Sequence, residues 1–461
     1  MPFDLKALVT RRFGENYELH HRHVNRTLVT VQRTIGFDKV YANARGAYLY
    51  DLDGNAYLDF LSGYSVFNIG RNHPTIKKAI ADTLEMDLPN MVQMDCSLLS
   101  GLLAEALLAK LPDHLDSVFF CNSGTEAMEG AIKFAHAATN RPGLISLESA
   151  FHGLSMGSLS VMGCTQFRDG FAPYLPDCQR VPMGDLAALE ALLATERYAA
   201  FILEPVQGKG VHFPDDDYYL RAQELCRRYG TLLICDEVQT GLGRTGRWFG
   251  FEHWGLEPDV VTIAKSLSGG YVPVGAIVTR RDIYQKTFSR LDRCVVHSST
   301  FGRNNLAMAC GLATLTVLED EDLIANSARM GALLVERLNA LKEQHSFIKE
   351  VRGKGLMVVV EFHEPRELTS RLGWKFLHRV EKELFPQMVV TSLLTRHRIL
   401  SQVTAHGMDE IKILPPLMIG EPEVDLFVNA LDSVLQQCRK FPGPIWDLGA
   451  NFVKQSLRKT S

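Results

Sequence analysis

Nowhere in this 461-residue chain do apolar residues run on for the ~20 positions that a membrane-spanning helix needs, so no such helix is expected. There is no block of like charge either. The formal net charge is only -4, with both signs interspersed, which argues against a nucleic-acid binder or a polybasic membrane patch. The nine cysteines are odd in number and scattered, with no CxxC pair. Neither a disulfide framework nor a zinc site is expected from them, and free thiols in a reducing cytoplasm are. Met1-Pro2-Phe3-Asp4-Leu5-Lys6 lacks the charged-then-apolar layout of a secretory signal. No internal repeat or low-complexity tract occurs.

What is present is an ordinary globular balance, 46% hydrophobic and 22% charged, in a chain long enough for two domains. Residues 1 to about 45 mix residue types without clean periodicity and read as an N-terminal arm. Its His20-His21-Arg22-His23 is taken as a solvated or subunit-contact segment, since adjacent side chains diverge and no matching ligand set follows. Tyr48 to Phe60 reads as a β-hairpin turning at Asp53-Gly54. Asn72-His73-Pro74 opens a helix, and Ser97 to Leu111 has helical spacing with Ser100 as a candidate cap.

From about 115 to 305, short apolar strands (117–121, 144–147, 200–203) alternate with helices (126–138, 218–229). That alternation predicts an α/β fold with a mostly parallel sheet covered on both faces. A helical stretch follows, then a strand-rich piece at 351–362 and a last amphipathic helix at 421–439. The expected division is 1–70 (arm and part of a small domain), 71–325 (large domain) and 326–461 (the rest of an α+β small domain).

Two apolar runs end in charge. Thr231-Leu232-Leu233-Ile234-Cys235 leads to Asp236-Glu237, and Asp259-Val260-Val261-Thr262-Ile263-Ala264 leads to Lys265. Each reads as a buried strand with its charge at the C-terminal edge, where open α/β sheets bind ligands. A lysine amine for a Schiff base and a carboxylate for a pyridinium nitrogen suit pyridoxal 5'-phosphate. Asn122-Ser123-Gly124-Thr125-Glu126 opens a helix after the first core strand. On its own it is an N-capped turn, but beside Asp236 and Lys265 it reads as a phosphate site. Phe151-His152-Gly153 offers a ring to stack, and the glycine-rich loop Glu204-Pro205-Val206-Gln207-Gly208-Lys209-Gly210 puts a carboxylate at the same edge. Gln239 is within reach of that edge, and Ser298-Ser299-Thr300-Phe301-Gly302 brings more hydroxyls.

These motifs, in this order, resemble the class III aminotransferases, the ornithine, acetylornithine and ω-amine transaminases of fold type I. The resemblance covers about residues 25 to 440. It implies that Lys265 binds the cofactor covalently and then carries the proton. Asp236 would pair with the pyridine nitrogen and Gln239 with the ring's phenolic oxygen. Ser123, Gly124 and Thr125 would hold the phosphate, with Phe151 and His152 at the ring. Thr300 would reach the neighbouring subunit's cofactor, implying a homodimer. Burial near a cationic ring would lower the lysine's ordinary pKa of about 10.4 and favour its neutral amine.

One departure bears on the substrate. Ile411-Lys412-Ile413-Leu414-Pro415-Pro416 places lysine where relatives taking ornithine or 2-oxoglutarate carry an arginine; the resemblance makes Glu204 a switch that pairs with that arginine when an ω-amine enters and releases it when a carboxylate enters. Lysine keeps the charge and loses the bidentate fork. The expectation is weaker or altered carboxylate recognition, with a shift toward amines or carbonyl compounds lacking an α-carboxylate, or else a lysine that merely faces solvent while another basic residue serves. Tyr64 and Phe67 are expected on the substrate side. Residues 396–402 and 443–449 resemble members that aminate large lipid- or polyketide-derived carbonyls. Donors would be an ω-amine such as ornithine, or glutamate, and acceptors a keto acid or aldehyde. An aminomutase, racemase or decarboxylase of the same class, and a scaffold that has lost the cofactor, stay open.

Overall fold

The computed structural model describes residues 3–92, 94–379, 382–404, 407–440, 442–443, 445–446 and 449. Three helices, Leu5–Arg11, Asn16–His23 and Arg26–Thr34, occupy the arm expected to be irregular. Asp4 and Asn25 cap the first and third by accepting N–H groups of Ala7 and Leu28. The four histidine-arginine residues lie on the second helix, which buries nothing. Strands β1 (Tyr41–Arg45), β2 (Tyr48–Asp51) and β3 (Ala56–Asp59) form an antiparallel meander. Asp51 accepts the N–H groups of Asp53 and Asn55 and so closes the turn at Asp53-Gly54.

The central sheet has seven strands: β4 (Ser117–Cys121), β5 (Gly143–Leu147), β6 (Cys178–Val181), β7 (Tyr198–Leu203), β8 (Leu232–Asp236), β9 (Val260–Ile263) and β10 (Gly275–Thr279). Their spatial order is β4-β10-β9-β8-β7-β5-β6. All pairings are parallel except those of β10, which runs against both neighbours. The strands read as continuous apolar runs because both faces are covered. Phe201 and Leu203 of β7 enter one core cluster, and Ala200 and Ile202 the other. Helix Gly124–Thr139 packs across β7, β9 and β10.

A smaller four-stranded sheet follows, ordered β11-β12-β15-β14, from β11 (Ile348–Lys354), β12 (Met357–Phe362), β14 (Gln402–Val403) and β15 (Glu410–Ile413). β13 (Ile399–Leu400) instead joins β3 of the N-terminal meander, so both ends of the chain build this region. Helix Leu323–Gln344 lies on β11 and β12, and helix Glu421–Cys438 packs against that helix and against helix Leu384–His397. Helix Leu98–Leu108 is flanked by Ser97 at its N-cap position, and the candidate cap Ser100 bonds back to the Ser97 carbonyl from inside the helix. Of the C-terminal stretch 443–449, residues 444, 447 and 448 lie outside the described residues.

Candidate active site

Because β4, β5, β7, β8 and β9 point the same way, their C-terminal ends share one edge. A cavity of about 760 Å³ opens there. Asp236 ends β8 and Lys265 follows β9, and both line it. Lys265 adopts a left-handed backbone, φ +46, at the start of a 3₁₀ turn. A side-chain-bearing residue held there is strained, as residues at functional sites often are. Burial lowers the Lys265 pKa, against the opposing pull of the Asp236 and Glu204 charges.

Asp236 is fixed on three sides. It accepts N–H of Val238 (3.1 Å) and the hydroxyl of Thr262 (3.2 Å), and meets His152 Nδ1 at 2.8 Å. Burial works against a charged His152, but the bond to Asp236 and its charge prevail and raise the histidine's pKa. His152 Nε2 is buried without a partner among the described residues, an open polar position at the cavity wall.

Ser123 N-caps helix Gly124–Thr139 by accepting Glu126 N–H. The next N–H groups, of Gly124 and Thr125, open the helix and have no intrahelical acceptor. A Cβ on Gly124 would approach Val238 Cγ1 to 2.8 Å, so only glycine fits. Thr125 Oγ1 is held by Ser155 and Ser158 at 2.5 and 2.8 Å. Phe151 completes this wall.

Opposite stand Tyr64, whose hydroxyl bonds Gln402, and Gln239, which donates to the Tyr64 carbonyl. Phe67 is not among the cavity-lining residues, contrary to expectation. Ser62, Gly63, Tyr64 and Ser65 all take positive φ, which breaks simple alternation. The Phe67 ring lies 4.0 Å beneath the Arg71 guanidinium, and Val66 lines the cavity instead. Thr300 is exposed and outside the cavity of its own chain, while its neighbour Ser299 bonds Asn122.

Glu204 and Lys412 form no ion pair among the described residues, and the reason is local. Glu204 accepts N–H of Phe151 (2.9 Å) and of Gly208 (2.8 Å), and Lys412 Nζ donates to the Gly208 carbonyl (2.6 Å). Both side chains are therefore tied to the loop between them. Burial raises Glu204's pKa. Lys412 does not face solvent: it is 3% exposed, in the middle of β15. Burial, then the Lys209 and Lys265 charges, pushes its pKa down to about 7.

A lysine depressed in the fold binds fewer protons natively than unfolded between about 7 and 10.5. Stability should therefore rise with pH across that window. Lys412→Met is expected to lack this rise, so denaturant midpoints should move in favour of the wild type from neutral to alkaline pH. A difference flat with pH would show an ordinary lysine.

The residues 32–435 match the aminotransferase class-III family. The chain belongs to it. Class III aminotransferases are fold-type-I enzymes dependent on pyridoxal 5'-phosphate. The chain is 36% identical over 459 residues to aminotransferase PigE of a Serratia species, covering 93% of this chain but 54% of PigE, so it spans about half that relative's length. It is 37% identical to acetylornithine aminotransferase of Methanocaldococcus jannaschii, over 87% of this chain and 94% of that one. An ornithine aminotransferase structure from Toxoplasma gondii, described as partly occupied by the cofactor, superimposes with TM-score 0.80 at 29% identity, covering 95% and 100% of the two chains.

The cavity fits the family's cofactor. It joins an amine, a fixed carboxylate, an open helix N-terminus and an aromatic wall, with one buried ring nitrogen unpartnered. Several lining residues carried no assigned role in the sequence: Phe167, Tyr271, Gln402 and Lys209. Lys209, inside the glycine-rich loop, was the one with a readable signal, a charge between two glycines.

Proposed function

We propose that this aminotransferase moves an amino group between an ω-amine or amino-acid donor, such as ornithine or glutamate, and a keto-acid or aldehyde acceptor. A large lipid- or polyketide-derived carbonyl is among the candidate acceptors. The observation carrying the reading is the convergence of Lys265, Asp236 and the helix start at Ser123-Gly124-Thr125 on one cavity. Pyridoxal phosphate, when bound, supplies an electron sink for bonds to the amine-bearing carbon. Lys265 Nζ would anchor the group and then, once displaced, hold and move the proton there; its lowered pKa favours the neutral amine. Asp236 would keep a ring proton in place, steadied by His152, and Gln239 would face the ring from the Tyr64 side. Gly124 and Thr125 N–H groups would hold the phosphate.

Homodimerisation is part of the reading. Leu291, Val295 and Phe301, 94%, 59% and 56% exposed, flank Thr300 in sequence, an apolar stretch that a second copy would cover, carrying Thr300 to its neighbour's site. A cytoplasmic location accords with nine free cysteines. The division at 70/71 and 325/326 accords with the separate sheets, the second break falling inside helix Leu323–Gln344.

The test is a half-reaction. Mixed singly with ornithine, putrescine, alanine, glutamate or a long-chain amine, the yellow holoenzyme is expected to lose its visible band with at least one and release the matching carbonyl product. A band that persists with every amine would sink transamination and favour the mutase or racemase chemistry.

A further inference from the structure

Three lysines line the cavity, and two already have work. Lys265 is the cofactor anchor of the reading above, and Lys412, 3% exposed, donates to the Gly208 carbonyl and sits 5.7 Å from the Tyr64 ring centre. The third, Lys209, makes no hydrogen bond or ion pair among the described residues. Its ammonium lies instead 5.4 Å from the Phe151 ring centre and 5.0 Å from that of Phe167. Those rings meet edge to face, 5.3 Å apart at 83°. Cation–π contact steadies such a group and leaves its N–H donors free for an anion.

The backbone on either side of Lys209 is braced from the small sheet. Arg352 of β11 donates through Nε (3.0 Å) and Nη2 (2.6 Å) to the Gly210 carbonyl, and Lys412 of β15 holds Gly208. The lysine is thus a half-buried cation on a fixed loop. The carboxylate of that loop, Glu204, is satisfied by backbone N–H groups and forms no ion pair with Lys209. Burial lowers the lysine's pKa, partly offset by Cys164 and Glu204.

We propose that Lys209, rather than Lys412, is the specificity-determining residue that receives the carboxylate of an amino-acid or keto-acid substrate. This rests on the transaminase reading but concerns a binding contact, so the two can fail separately. A charge-assisted contact of this kind is worth about 1.5–3 kcal/mol, roughly ten- to a hundredfold in affinity.

The experiment titrates holoenzyme with glutarate, a dicarboxylate with neither amine nor ketone, by calorimetry, and measures half-reactions with glutamate and putrescine. Lys209→Gln is expected to weaken glutarate at least tenfold and to lower the glutamate-to-putrescine rate ratio at least tenfold, with Lys209→Arg recovering most of both. Equal glutarate affinity in wild type and Lys209→Gln, no glutarate binding to the wild type, or a loss confined to cofactor retention would each overturn the assignment. Retention failing alone would place Lys209 at the cofactor's phosphate. A glutarate difference that stands while no amine is transformed would sink the transaminase reading and leave the carboxylate contact in place.

Discussion

Lys265→Ala should retain pyridoxal phosphate and lose turnover by about 10⁴-fold or more, since nucleophile and proton carrier vanish together. Retention is expected because the other holds are independent of Lys265: the open N–H groups at Gly124 and Thr125, and Asp236 with its three partners. The truncation keeps the Cβ, so the left-handed backbone at φ +46 costs the variant what it costs the wild type, and the fold should tolerate the change. Two measurements check this. Turnover with the best amine of the half-reaction panel gives the rate. Borohydride reduction followed by peptide mapping should attach the cofactor to the Lys265 peptide of the wild type and to none in the variant. Turnover within tenfold of wild type, or labelling on Lys209 or Lys412, would remove Lys265 from its role.

Asp236→Asn should cost about 10²–10³-fold in turnover, in the range found when a preorganised electrostatic contact is removed. Shape is nearly kept, while the fixed negative charge facing the cavity is lost, and His152 loses its ion-pair partner in a buried setting. The second effect has a pH signature. His152 titrates higher in the fold than unfolded. Its contribution to stability is therefore fully present below about pH 6 and fades as pH rises through the raised folded value. The wild type's advantage in Tm over Asp236→Asn should shrink from acid toward neutral and alkaline pH. An advantage that grows with pH would mean that His152 is not the charged partner of Asp236, and turnover within threefold would displace Asp236 from the site.

The strands were the most legible part of the fold. Runs such as Leu232 to Asp236 and Val260 to Ile263 are short, apolar and end in charge, so composition marks both strand and edge. β10 was not among the strands named from the sequence, and its direction could not have been: Gly275–Thr279 is as apolar as its neighbours, and antiparallel direction leaves no mark in a strand buried on both faces. The arm's helices are short and bury only Val29, so periodicity was faint. Lys265, Asp236 and the 123–125 turn could be read because each sits where one strand ends. The substrate side could not. Whether Glu204 meets Lys412 depends on which peptide groups intervene, and the intervening group, Gly208, is joined to the two by non-local folding. Phe67 lies off the cavity lining for a related cause: four consecutive positive φ values at 62–65 belong to a tight turn that residue identity alone did not announce.

Arg244 was not singled out from the sequence, yet its side chain is fully buried and fastens distant parts of the chain. It donates to the carbonyls of Leu356 and Pro415, to the Ser62 hydroxyl and to the Asn68 side chain. Burial pushes its pKa down to about 9. Ser62 and Asn68 bracket the Tyr64 turn, and Pro415 lies just past Lys412. Releasing any one of these segments would take an acceptor away from a buried guanidinium. One buried side chain therefore ties the turn that carries Tyr64 to the end of the strand that carries Lys412, so that truncating it should loosen two walls of the cavity at once.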